Sequence, residues 1–454
     1  MMTRTLFVDF DVVATMDAAG REIPGGFVVV EGNRIIDVGE NATGIEADEI
    51  VRGNGKLLLP GFVNTHHHLY QALFRNVPGA SNAKLFDWLV FLYEQWEGID
   101  EHAMRVASTI ACSELLLSGA TTSSDHCYLY PKSGGNILAA DIEGAQAAGI
   151  RFHPTRGSMS LSKKDGGLPP DSVVQTEDEI LADCQRMIET YHDSEPLAML
   201  RIALAPCSPF SVTLDLMRES VTMAEEYGVL LHTHLAETHD EEAFCKQEFG
   251  LRPVDLMEEL GWLRDDVWFA HLVVLSDADI AKLAAAKVGM AHCSSSNMTL
   301  GSGIARVTEM KETDIRIGLA VDGSASNDTS NMIREVRNAM LLQRVQYGAD
   351  AITAREALHM ATMGGAGVLG RQDEIGSIEV GKAADLIAFD LNDIAFAGSH
   401  ADPVASVVHC AGDRVDFSMV NGEWRVRSGR LVDESIYGLI PEHNRISKRL
   451  TGEA

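Results

Sequence analysis

Between residues 57 and 323 the chain repeats one pattern, a short apolar run followed by a longer amphipathic stretch. The runs cover residues 57–66, 120–125, 151–157, 201–207, 230–235, 267–273, 287–293 and 316–323. Stretches between them, such as HAMRVASTIACSELLLSG and SDADIAKLAAAK, set apolar residues three and four apart, often after an acidic first turn. That spacing is helical, whereas the short runs suit buried strands. Eight strands alternating with helices over about 260 residues are what a (β/α)8 barrel requires. The expected fold class is therefore α/β, a TIM barrel.

The two ends read differently. TLFVDFDVVATM and GGFVVVEGNRIIDVGE near the start, and GSIEVGKAADLIAFDL and SVVHCAGDRVDFSMVNGEWRVRSGRLV near the end, are strands with turn punctuation. Asn421-Gly422 between alternating apolar residues signals a hairpin. Either tail alone would expose its sheet edges. The expectation is one small β-sandwich domain assembled from residues 1–58 and 374–454, flanking a catalytic barrel over 59–373.

Polar residues gather at the ends of the apolar runs: His66 and His68, Asp125, Arg156, Cys207, His232 and His234, His271, His292, and Asp322. In a barrel those ends form the catalytic rim, where side chains distant in sequence converge. His66 and His68 are two apart, so on a strand they share a face while His67 points away. A histidine pair alone could simply pack against polar neighbours; the converging set favours a metal. His66, His68, His234 and Asp322 are the expected ligands, enough for one zinc or iron with a position left for water. His232 shares the spacing of His234, but Glu237 follows three residues after His234, in HLAE, and selects it. The expected catalytic groups are Glu237 as proton shuttle, Asp322 as acceptor of the water's proton, and His271 as a further ligand or, preferably, a group polarising that water.

The balance of 37 basic and 66 acidic residues gives a net charge of −29, which repels nucleic acid and anionic lipid. Neither is expected as a partner. Seven scattered cysteines, odd in number and without a CxxC pair, read as reduced thiols. With no cleavable leader and no apolar stretch of membrane-spanning length, a cytoplasmic protein is expected.

VNTHHHLYQ, HTHLAET, FAH and VDGSASND, in that order, resemble the amidohydrolase superfamily, specifically its metal-dependent deaminases and chlorohydrolases of aromatic rings. The resemblance spans nearly the whole chain, since PGFVNTH and GKAADLIAFDL also match. It implies one divalent metal, zinc with iron as the alternative, and a small heterocyclic substrate. Two-metal members carry a bridging lysine on the fourth strand; RIALAPCSPF has none, which implies a single metal and deamination rather than ring-amide opening. HHHLYQALFRN, TRGSMSLSKKDGGLPPD and CSSSNMTLGSGIARV most resemble the 8-oxoguanine deaminases, with triazine hydrolases and guanine, isocytosine and pterin deaminases as alternatives. The family pattern places Gln71 against the substrate's polar edge. Trp88, from an aromatic-rich segment after the first strand, is expected as a pocket wall. Arg156 and Cys207 are expected to touch the ring or its carbonyls, although Arg156 could instead pair with an acid such as Asp125. A homo-oligomer is expected. An inactive barrel scaffold is disfavoured because such proteins lose ligands that this chain retains.

Overall fold

The apolar runs pair in chain order. In the computed structural model, which describes residues 3–452, eight parallel strands form one sheet. They are β1 (Phe62–Asn64), β2 (Ala120–Cys127), β3 (Arg151–Ser158) and β4 (Ala203–Pro206), then β5 (Leu231–Leu235), β6 (Val267–His271), β7 (Gly289–His292) and β8 (Arg316–Leu319). Thr65 N–H donates to the Leu319 carbonyl at 3.0 Å and joins the first strand to the last. This is the expected (β/α)8 barrel. Parallel strands are covered on both faces, and every residue of β2 and β5 is buried.

Between strands, local signals start and stop the helices. Helix Leu214–Tyr227 begins at Thr213, whose hydroxyl accepts the Leu216 N–H, and ends at Gly228 in the left-handed region. Its buried stripe of Leu216, Met217, Ser220 and Ala224 covers β4. Among the described residues no helix is long and apolar enough to cross a membrane.

One expected strand divides in two. Within residues 57–66, Lys56–Pro60 runs antiparallel to Leu386–Asp390 in a terminal sheet, and only Phe62–Asn64 enters the barrel. Gly61 is the crossing point. A Cβ there would stand 2.0 Å from Thr121 Oγ1, so only glycine lets the chain pass this close to β2. The second strand also continues two residues past its expected end, to Cys127.

The remaining strands build two sheets. One holds four strands from the N-terminal segment; the other holds seven, drawn from both ends of the chain. Phe7, Phe10, Val28, Leu58, Phe417 and Met419 belong to the apolar core they share. Asn421 and Gly422 both have positive φ, as a two-residue hairpin turn with the strands' own twist requires. Arg151 ties the barrel to the larger sheet through a buried two-pronged pair with Asp385, at 2.9 and 3.0 Å. The last helix, Ile440–Thr451, packs on the barrel helix Glu101–Leu117, and Ser447 Oγ donates to the Leu73 carbonyl at 2.6 Å.

Candidate active site

Backbone carbonyls decide how the imidazoles present their nitrogens. A carbonyl only accepts, so a ring nitrogen bonded to one carries the proton. His68 Nδ1–H donates to the His126 carbonyl at 2.9 Å, His234 Nδ1–H to that of Cys207 at 2.7 Å, and His232 Nδ1–H to that of Trp268 at 2.8 Å. In a neutral imidazole the second nitrogen is then a bare acceptor. His232 Nε2 therefore accepts, and His66 Nδ1, 2.7 Å away, donates to it.

Three Nε2 atoms are left with free lone pairs, on His66, His68 and His234. Those of His68 and His234 face each other at 3.2 Å, and that of His66 has no hydrogen-bond partner among the described residues. Asp322 Oδ1 lies 3.3 Å from both His66 Nε2 and His68 Nε2. Burial keeps the imidazoles neutral, lowering the pKa of His234 to about 3 with help from the neighbouring His68. Burial alone would raise the Asp322 pKa, but the facing His66, with His271 and His68, holds it well below the usual carboxylate range. Ligand atoms of His66, His68 and His234 thus lie within 4.8 Å of one another, with Asp322 beside two of them, and the arrangement suits a divalent cation.

Glu237 and His271 complete the floor. His271 Nδ1–H donates to Asn297 Oδ1 at 2.9 Å, which turns Nε2 toward Glu237 Oε2 at 3.6 Å and Asp322 Oδ2 at 4.0 Å. Burial raises the Glu237 pKa to about 7 against the pull of His271, so the group can both take and give a proton near neutrality. His271 and Asp322 have φ of 75° and 60°, left-handed values that residues with a Cβ seldom adopt.

The cavity and the solvent at its mouth together span about 400 Å³. His68, His234, Glu237, His271 and Asp322 form its floor, and Leu85, Trp88, Leu89 and Tyr93 of one helix cover it. Gln71 reaches the wall, where its Oε1 accepts the Ala325 N–H at 3.2 Å. Gly323 makes room for that amide, since a Cβ there would stand 1.9 Å from Gln71 Oε1. Cys207 also lines the cavity; burial pushes its pKa up to about 12 and keeps it a thiol.

Arg156 stands elsewhere and corrects the sequence reading. It lies outside the cavity lining, with its Nε donating to Asp183 at 2.7 Å, its Nη2 to Gln175 at 2.8 Å, and its guanidinium 3.7 Å above the Tyr130 ring. The side chain of this β3 residue pairs with the helix Glu177–Tyr191, which holds Asp183. Asp125 likewise faces away from the rim, accepting the Leu69 N–H at 2.6 Å beside Asp141. His232 is a support, stacked on Trp268 with ring centres 4.3 Å apart.

His126 is a residue that the sequence reading missed. It stacks on His234 at 4.7 Å, and its Nδ1 is buried without a hydrogen-bond partner among the described residues. The signal lay in period-two alternation: with Asp125 facing outward, His126 must face inward. Tyr128, Phe210, Leu300 and Ser326 also line the cavity. Tyr128 keeps the parity of His126, while the surroundings of the other three carry no periodic signal that could have placed them there.

The match to known proteins follows this geometry. The model of the amidohydrolase family covers residues 57–425, and the chain belongs to that family. It is a hydrolase acting on carbon–nitrogen bonds. The chain is 46% identical over 442 residues to an 8-oxoguanine deaminase of Pseudomonas aeruginosa, covering 96% of this chain and 97% of the relative. It is 36% identical to a hydroxydechloroatrazine ethylaminohydrolase of Pseudomonas sp. (strain ADP), over 93% of this chain and 91% of the relative. The crystal structure of a zinc-complexed atrazine chlorohydrolase, TrzN from Arthrobacter aurescens TC1, superposes with a TM-score of 0.94 at 32% identity, covering 98% of this chain and all of that one.

Proposed function

We propose that the chain is a mononuclear zinc deaminase that converts 8-oxoguanine and water to urate and ammonia. The observation behind the metal is the opposed pair of bare nitrogens on His68 and His234, with His66 and Asp322 completing the ligand set. Zinc bound there supplies a Lewis acid that brings the pKa of a water to about 7. The chain's own groups do the rest. Asp322 and His271 orient the attacking water. Glu237 takes its proton and delivers it to the ring nitrogen beside the attacked carbon. Left as a carboxylate, Glu237 then takes the remaining proton from the added hydroxyl as the carbonyl forms and passes it to the departing amine, so that ammonia leaves and the carbon keeps the oxygen.

The substrate assignment is supported by the 46% identity to an 8-oxoguanine deaminase over nearly all of both chains. The cavity agrees in kind, with Trp88, Leu89 and Phe210 offering flat or apolar surface for a bicyclic ring. Gln71 and the Cys207 thiol supply polar contacts for its edge. A panel of 8-oxoguanine, guanine, isocytosine, isoxanthopterin and amino- and chloro-triazines, assayed for ammonia or chloride release, tests the reading. The expected result is the highest kcat/KM with 8-oxoguanine and one urate per ammonia. A preference for any other heterocycle of tenfold or more would replace the assignment.

A further inference from the structure

The turn that presents Glu237 has an unusual backbone, and a side chain outside the cavity holds it there. Ala236 has φ 53°, a left-handed value that residues with a Cβ seldom adopt. Its carbonyl accepts the N–H of Val273 at 2.9 Å and of Val274 at 2.8 Å. From the other side, Glu241 Oε1 accepts the Ala236 N–H at 2.8 Å and Glu241 Oε2 accepts the Glu237 N–H at 2.8 Å.

Glu241 is fully buried and does not line the cavity. It sits in the first turn of helix His239–Phe249, whose N-cap is Thr238. In a capping box the glutamate at this position bonds the N-cap's own N–H. Here the carboxylate passes that N–H and takes the two before it, so it braces the end of β5 and not the start of the helix.

We propose that Glu241 is a positioning residue for the deamination, fixing the Ala236–Glu237 turn so that the Glu237 carboxyl faces the metal ligands. This rests on the role assigned to Glu237 above. Only a carboxylate offers two acceptor oxygens at this reach: glutamine turns an NH2 group against one of the N–H donors, and aspartate is one methylene short.

The test compares the full-length wild-type chain, Glu241→Gln and Thr238→Ala, each loaded with zinc. Thr238→Ala removes the helix cap, where Thr238 Oγ1 accepts the Glu241 N–H, but leaves the brace intact. Hydrogen exchange at the Ala236 and Glu237 amides should speed up by at least about tenfold in Glu241→Gln and stay unchanged in Thr238→Ala. On the best heterocycle of the panel, kcat of Glu241→Gln should fall about 100-fold, with KM and zinc content within twofold of wild type. Thr238→Ala should lower the melting temperature yet keep kcat within twofold. Unchanged exchange in Glu241→Gln, a kcat loss that only tracks lost zinc, or an equal kcat loss in Thr238→Ala would overturn the proposal. If Glu241→Gln does not fold, Glu241→Asp takes its place in the same comparison. The exchange measurement needs no substrate, so a wild-type chain inactive on the whole panel would refute the functional reading and leave this one to be decided by exchange.

Discussion

His232 Nε2 stands 2.7 Å from His66 Nδ1, and this contact determines which nitrogen His66 turns to the metal. The chain of donors runs from His66 to His232 and on to the Trp268 carbonyl. Groups of this kind orient a ligand without touching the ion, and losing one lowers metal affinity about 10–100-fold. His232→Ala should therefore weaken zinc in a chelator titration by that factor and regain turnover in excess zinc. His234→Ala should lose metal and activity together. Full metal occupancy in His234→Ala would make His232 the better ligand candidate.

Glu237→Gln should keep its zinc and lose turnover by about 10²–10⁴-fold, because an amide cannot pass a proton on. Glu237 is absent from the four-ligand set, so metal content separates this outcome from a damaged site. Turnover within a few-fold of wild type would remove Glu237 from the mechanism.

Arg156→Met should change stability and not substrate binding. Arg156 is buried against Asp183, Gln175 and Tyr130. Asp183 keeps a second partner in Arg186, which limits the expected loss to about 1–3 kcal/mol. Urea unfolding measures that loss, and KM should remain within twofold. A tenfold rise in KM at unchanged stability would return Arg156 to the site.

Asp125 and Asp141 predict a stability that depends on pH. Each has one oxygen bonded, to Leu69 N–H and to Ser108 Oγ–H, and the two buried carboxyls also interact with each other. Burial raises both pKa values, and for Asp125 the charge of Asp141 adds to it. The folded chain therefore keeps protons that the unfolded chain releases near pH 4. The stability gained is full below about pH 4 and is lost as pH rises through the raised folded values. Asp141→Asn removes one such group. Wild type should exceed the variant in melting temperature by more at pH 5 than at pH 8. An equal gap at both pH values would contradict the shared burial argument.

How much of this was legible in the sequence follows from which rules reach which residues. His66, His68, His234, His271 and Asp322 could be gathered at one rim because strand ends converge in a barrel, whereas period two spoke only to the pairs His66/His68 and His232/His234. The same rule misled at Arg156 and Asp125. Each lies within two residues of a strand's end, but on the face that packs against the outer helices. Ending β2 at Asp125 also hid His126. Gly61 was invisible as a crossing point because its reason is the approach of Thr121, a contact between distant segments. Phe210 reaches the cavity through the path of the chain beyond β4, which no local periodicity encodes.

The metal content of the purified chain, read by mass spectrometry of its metals against protein concentration, tests the centre of this account. One ligand set of His66, His68, His234 and Asp322 predicts one zinc or iron per chain, in step with activity. Two metals per chain, or undiminished turnover by chain that holds none, would contradict it.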